Sequence, residues 1–333
     1  MHDEMNATVN VSIILPTYNR DECLRNTLID LTQQRPAPRE IIVIDQSEQH
    51  EPATSVFLED LVARKVIRYF HQSEPNLQCA RNLGIMVACG DVLLFVDDDV
   101  RMECDLVGAH WQNYVSDPEL AAVCGFYVKP GEPYLEELPA RCKRPSTGWI
   151  YMPHSYTRRI ECYSLPGCNG SVRREIAIQL GGFDENYTYT YLDDVDFSCR
   201  LKQLGVKAVH DPNAKLIHLK EPMGGKRPGT VDNADSNSWY IWCYFFWSNF
   251  GWRSWRDLAD RFRRTILRRT TLLRPWALLR AFSHCLRGAW RAAQAMRRGR
   301  QLGVVRAQAT DLREISLAEA APSSATSPAA HES

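Results

Sequence analysis

No run of about eighteen apolar residues occurs in the chain, which excludes a conventional membrane-spanning helix. The eleven cysteines contain no CxxC pair, so the usual spacing of zinc knuckles and thioredoxin-like redox motifs is missing. They are scattered through strand-like and helix-like segments, among them Cys23, Cys79, Cys89, Cys124 and Cys199. Reduced thiols used as small apolar residues in a cytosolic compartment explain that pattern. Cys162 and Cys168 could pair, but two free thiols is the expectation. The opening residues are polar and acidic, unlike a secretory signal. No GxGxxG follows any strand-like run, which counts against a dinucleotide-binding domain. Net charge is zero, yet residues 253–300 hold fourteen arginines, no lysine and two acids, Asp257 and Asp260. The rest of the chain is correspondingly acidic, so the basic segment is expected to meet an anionic partner.

What the chain does contain is an alternation of strand and helix patterns. Val11–Leu15, Glu40–Asp45, Val66–Phe70 and Asp91–Val96 read as strands. Asp21–Gln34, Val56–Ala63 and Asn76–Cys89 read as helices between them. This order predicts an α/β fold with a mostly parallel sheet and helices on both faces. Prolines and aromatics then mark a loop-rich stretch from about residue 129. Order returns at Cys168–Val172 and in a helix over Arg173–Leu180. A further helix opens at Asp193, and short strands are expected at Lys207–Val209 and Ala214–Leu219. Met223–Thr230 reads as a Gly/Pro/Lys-rich loop, and residues after about 310 as disordered.

The chemistry concentrates where strands end. The apolar run Val92–Val96 closes on Asp97-Asp98-Asp99. Packed carboxylates repel one another, so the triplet is either a solvated acidic turn or a site for a hard divalent cation. Parallel strands share a C-terminal rim, where open α/β sheets bind ligands. That rim also receives Pro16-Thr17-Tyr18-Asn19-Arg20 and Asp45-Gln46-Ser47. Together these supply hydroxyl, aromatic and carboxylate groups suited to a nucleoside. Arg81, in Ala80-Arg81-Asn82 at the beginning of the helix before the aspartates, is either a phosphate-neutralising cation or a surface arginine. Asp193-Asp194-Val195-Asp196 reads either as a catalytic carboxylate cluster or as a helix cap. Asn169 and Gly170 either shape a sugar pocket or form a turn.

The segments VSIILPTYNR (11–20), EIIVID (40–45), ARNLGIMVACGDVLLFVDDD (80–99), GGFDENY (181–187) and DDVDFSCRLKQLG (193–205) resemble family 2 glycosyltransferases. That resemblance covers roughly residues 9–220. It implies a GT-A-like, Rossmann-type fold and inverting transfer from a nucleotide-sugar, with a UDP-, GDP- or dTDP-sugar as donor. It further implies that Pro16, Thr17, Tyr18, Arg20, Asp45, Arg81, Asp97 and Asp98 bind the nucleotide-sugar. Asp99 and His218 would hold Mg²⁺ or Mn²⁺. Asp194 would be the general base, with Asp193 standing where the family usually has Glu. Gln46 also departs from the family's usual Asp or Asn. Residues 1–100 are then expected to form the nucleotide-sugar half, and 101–225 the acceptor half, for a glycan or lipid-linked acceptor.

Residues 226–305 are expected to form a basic helical region and 306–333 a tail. Trp239–Trp255 is dense in aromatics, as either a helix packed on the catalytic domain or an interfacial belt. After Pro275, Trp276, Leu279, Phe282, Leu286, Trp290 and Ala293 recur at three- and four-residue steps beside Arg280, Arg287, Arg291 and Arg298. A basic amphipathic helix of this kind predicts peripheral binding to an anionic membrane surface, on the cytoplasmic side, and no nucleic-acid partner. Two other classes fit parts of the pattern. A nucleotidyltransferase would carry a glycine-rich basic loop after the first strand, and a non-catalytic membrane-binding relative would have lost one carboxylate site.

Overall fold

The computed structural model describes residues 8–138, 154–187, 192–221, 236–266 and 275–304. The expected Met223–Thr230 loop and the 306–333 tail lie outside them. Four strands, β1 (Thr8–Thr17), β2 (Ala37–Asp45), β3 (Arg68–His71) and β4 (Val92–Val96), run parallel in the order β3-β2-β1-β4. Helices α1 (Asp21–Thr32), α2 (Pro52–Ala63) and α3 (Leu77–Val87) connect them. Alternate residues enter two cores. Ile13, Leu15, Val43, Leu94 and Val96 fill one, and Ile14, Ile42, Ile44, Leu93 and Phe95 the other. A sheet covered on both faces needs apolar residues at successive positions, which is why these strands read as unbroken apolar runs.

Beyond β4 the sheet is mixed. The next elements are β5 (Val100–Met102), α4 (Leu106–Ser116), β6 (Leu120–Val128), β7 (Ile160–Glu161) and β8 (Asn169–Arg173). They are followed by α5 (Arg174–Gln179), α6 (Asp193–Gln203) and β9 (Lys207–His218). β8 lies antiparallel between β4 and β6, while β9 runs parallel to β6 and antiparallel to β5 and β7. The parallel pattern thus holds for the first four strands and gives way where β8 enters.

The two short strands expected after α6 are one strand, β9, with a register break. Gly125 pairs with Asp211 and the next residue, Phe126, with Lys215. Pro212 lies in the break and has no N–H for the ladder. Asn169 holds both sides of it, its side-chain amide donating to the Phe126 and Ala214 carbonyls at 2.8 Å each. Asn169 is therefore a buried strand residue that ties β8, β6 and β9 together, and not part of a turn.

The C-terminal helices are α7 (Ser236–Phe250), α8 (Trp255–Ile266) and α9 (Pro275–Arg298), with a short 3₁₀ turn at Gly251–Ser254. Trp239, Trp242, Tyr244, Phe245 and Phe246 of α7 are buried in a third core with Leu192 and Cys199 at α6. The aromatic-rich stretch therefore divides. Its α7 part packs on α6, while Trp252 and Trp255 are exposed. After α9, the chain returns to α6. Arg300 donates to Asp196 Oδ1 at 2.7 Å, and the Gln301 N–H to Asp184 Oδ1 at 3.0 Å.

Candidate active site

Register explains how distant residues meet at one rim. Thr17 is the direct neighbour of Asp45 across β1 and β2, and Asp45 of His71 across β2 and β3. Val100 pairs with His218 across β5 and β9, so Asp99, one residue earlier, reaches the His218 ring. His218 Nε2 lies 3.0 Å from Asp99 Oδ1 and 3.8 Å from Asp97 Oδ2. The Leu219 N–H donates to the Asp99 carbonyl at 2.9 Å and the Glu221 N–H to Asp99 Oδ2 at 3.0 Å. From α1, Thr27 donates its hydroxyl to the Asp98 and Val100 carbonyls. The acidic loop is thus clamped from two sides.

The three aspartates have three different environments. Asp98 turns inward, accepting from Thr17 Oγ1 at 2.7 Å and pairing with Arg20 Nη1 at 2.7 Å. Burial pushes its carboxyl up to about 6, against the pull of Arg20. Asp99 is buried, with Arg20 Nη1 3.2 Å away. Asp97 is half-buried and receives Arg81 Nη2 at 3.2 Å. Two arginines therefore offset much of the repulsion that makes a carboxylate triplet costly.

Arg81 also joins the two acidic clusters. Its guanidinium is buried in the second turn of α3, donating from Nη1 to Asp193 Oδ2 at 2.8 Å and from Nη2 to the Gly167 carbonyl at 3.2 Å. It also stands 5.2 Å from the centre of the Phe183 ring. A Cβ at 167 would lie 2.3 Å from Arg81 Nη2, so any other residue there must displace the guanidinium. Asp193 is thereby neutralised, whereas among the described residues the hydrogen bond to the Asp194 carboxylate comes from the Val195 N–H at 2.8 Å. Asp194 is half-buried, yet desolvation by the surrounding protein first, and the Asp193 charge second, push its carboxyl up to about 7 against the pull of Arg81. Asp196 points elsewhere. Burial would raise its pKa, but Arg200 and Arg300 outweigh that and hold it below the usual carboxylate range.

Asp45 is enclosed by a network not evident in the sequence. Tyr69 OH donates to Oδ2 at 2.8 Å and the Ser47 N–H to Oδ1 at 2.8 Å. His50 bridges Asp45 and Asp21, lying 2.8 Å from Asp21 Oδ1. Burial disfavours the His50 cation, but the two carboxylates outweigh it and raise its pKa. Tyr18 is half-buried beside this network and Asn19 is exposed. Asn19, Leu192 and Lys220 all have left-handed backbone, with φ of 53°, 67° and 57°. Such conformations cost on the order of 1 kcal/mol each for non-glycine residues and collect at functional sites. Here they border the first-strand loop, the start of α6 and the end of β9.

The His218 imidazole reports on metal fit. Both ring nitrogens are buried without a hydrogen bond among the described residues, although Nε2 lies beside Asp99. A ligating oxygen of Asp97, Cys168 Sγ and a His218 ring nitrogen lie within 4.8 Å of one another. One carboxylate and one imidazole suit Mn²⁺ or Mg²⁺, whereas burial raises the Cys168 thiol well above its ordinary range and keeps it a weak neutral donor, so it is the oxygen and nitrogen donors that fit a divalent cation. Cys162 and Cys168 are both free thiols, as expected. The position of Cys168 beside a rim histidine depends on the β4–β8 pairing and has no local signal.

A parallel half-sheet with helices on both faces, continued by a mixed half, is a GT-A-type fold. The chain belongs to glycosyl transferase family 2, whose model matches residues 12–181. It is 26% identical over 278 residues to an uncharacterized glycosyltransferase of Bacillus subtilis, covering 70% of each chain. It is 24% identical over 217 residues to the O-antigen chain rhamnosyltransferase of Salmonella typhimurium, covering 63% of this chain and 66% of that one. The crystal structure of GalNAc-T7 with UDP, GalNAc and Mn²⁺ shares the fold, with a TM-score of 0.54 at 14% identity. That match covers 82% of this chain and 54% of the other. The protein is thus a glycosyltransferase that uses nucleotide-sugar donors, and no described helix is long and apolar enough to cross a membrane.

Proposed function

We propose that the enzyme moves a sugar, with inversion, from a UDP-, GDP- or dTDP-sugar to a hydroxyl of a glycan or lipid-linked acceptor. It would act peripherally at the cytoplasmic face of a cell membrane, in building an envelope polysaccharide. The observation that carries this reading is the contrast between two adjacent acids. Arg81 satisfies Asp193, while Asp194 is left with a carboxyl raised to about 7. A base with that pKa is half-ionised near neutral pH and can take the proton of an attacking hydroxyl. The O-antigen chemistry named for the Salmonella relative supports the acceptor class.

In this reading residues 1–100 form the nucleotide-sugar half and residues 101–225 the acceptor half. Tyr18 offers a ring for the base, and Pro16, Thr17 and Asp45 shape the nucleoside floor. Asp97 faces the ribose and diphosphate side of the rim. Asp98 acts through Arg20, and Arg81 holds Asp97 and Asp193 in register. Asp99 and His218 would hold Mn²⁺ or Mg²⁺, with Asp97 and Cys168 beside them. Bound there, the ion supplies Lewis-acid stabilisation of charge on the leaving diphosphate.

Mn²⁺ binding in the presence of UDP, GDP or dTDP, followed by the loss of the free-ion paramagnetic resonance signal, tests the metal assignment. Asp99→Ala and His218→Ala are each expected to weaken binding by about tenfold or more. Wild-type affinity in both variants would contradict it.

A further inference from the structure

Helix α9 has two apolar faces of opposite kind. Cys285, Ala292 and Ala295 are buried against the aromatic residues of α7. Trp276, Leu279, Leu286 and Trp290 point to solvent, with Trp276 83% and Trp290 64% exposed. The usual order is reversed, since small residues make the internal contact and the largest ones are left outside. Among the described residues every exposed tryptophan lies between 252 and 290. A single exposed Leu needs no explanation, but a stripe of bulky residues along one helix face marks an interaction surface.

Charge identifies the occupant. Arg280 and Arg287 are exposed beside the stripe. Of the fourteen arginines in residues 253–300, Arg300 pairs with Asp196, and Arg263 and Arg264 share Asp260, whereas Arg280 and Arg287 make no ion pair with an acid among the described residues. A surface that joins an apolar stripe to uncompensated cations matches a bilayer interface with anionic headgroups. The aliphatic Leu279 and Leu286 suit acyl chains better than stacked nucleobases. With 24 residues, α9 is about 36 Å long, but its arginines prevent insertion, so it lies along the surface.

We propose that the outer face of α9 docks the enzyme on an anionic bilayer, with Trp276 and Trp290 in the interface and Arg280 and Arg287 on phosphate headgroups. This deepens the peripheral placement above by naming the surface and the lipid charge. The docked helix is tied to the candidate catalytic helix, because Arg300, two residues past its end, hydrogen-bonds Asp196 in α6. Membrane position and the Asp193-Asp194 helix start are therefore parts of one packed unit with α7 between them.

Flotation of the full chain with phosphatidylcholine vesicles, and with the same vesicles containing one third phosphatidylglycerol, tests the surface. The wild type is expected to float only with the anionic vesicles and to release at high salt. The double variants Trp276→Ser/Trp290→Ser and Arg280→Glu/Arg287→Glu are each expected to bind about tenfold more weakly. Their melting temperatures should be unchanged, because the altered side chains are exposed. A wild type that ignores anionic vesicles overturns the proposal, as does binding that neither variant weakens. A dimer that the tryptophan variant dissociates, without vesicle binding, assigns the face to a second copy. Donor turnover on the same preparations separates the two readings. Turnover without vesicle binding sinks only the surface, and vesicle binding without turnover sinks only the catalytic assignment.

Discussion

Asp194→Asn is expected to lower kcat by about a hundred- to ten-thousandfold while nucleotide binding persists. The amide keeps the shape and the Val195 contact but cannot accept the acceptor's proton. The pH dependence follows from the raised carboxyl. Below about 7 the group is protonated, so kcat/KM should fall tenfold per pH unit, and above about 7 it should level off. Stability should move the other way. Between the ordinary carboxylate range and about 7, the folded state holds a proton that the unfolded chain has lost, so folding weakens as pH rises through that window. Asp194→Asn should therefore melt higher than the wild type at pH 8 and equally at pH 4. A variant that turns over normally, or a flat wild-type profile between pH 5 and 8, would remove Asp194 as the base.

Arg81→Ala is expected to destabilise the protein by about 3–5 kcal/mol, because it strands the buried Asp193, and the half-buried Asp97 with it, without their shared cation. For a chain of this size that is a fall on the order of 10 °C in melting temperature. Turnover should fall as well, since the unneutralised Asp193 would then raise the Asp194 carboxyl further. Arg81→Lys keeps the charge but not the fork that reaches Asp193, Asp97 and the Gly167 carbonyl together, so it should lie between. Gly167→Ala should reproduce part of the loss by displacing the guanidinium. Unchanged melting in Arg81→Ala would show that the two acidic clusters do not depend on this bridge.

The first half of the fold was legible because its signals are local. Apolar runs such as Val92–Val96 specify strands by themselves, and polar residues at their ends mark the rim. The turn to a mixed sheet was not legible, because β8 reaches β4 by tertiary pairing rather than by any local pattern. The same holds within the site. Asp97-Asp98-Asp99 could be read directly, but the inward turn of Asp98 depends on Thr17 and Arg20, some eighty residues away in sequence. The bond from Arg81 to Asp193 spans 112 positions. The His50 bridge between Asp21 and Asp45 gives no periodic signal at all. In α9 the three- and four-residue steps revealed the outer apolar face. The inner face of alanine and cysteine was hidden, because small residues carry little pattern.

Nucleotide diphosphate release from UDP-, GDP- and dTDP-sugars, with Mn²⁺ or Mg²⁺ and a lipid-linked acceptor extract, tests the central claim most directly. Wild type, Asp99→Ala and Asp194→Asn should be run side by side. The account predicts metal-dependent release from one donor class, lost in both variants. Release that needs no metal and survives both substitutions would contradict it, as would the absence of metal-dependent binding of any of these nucleotides.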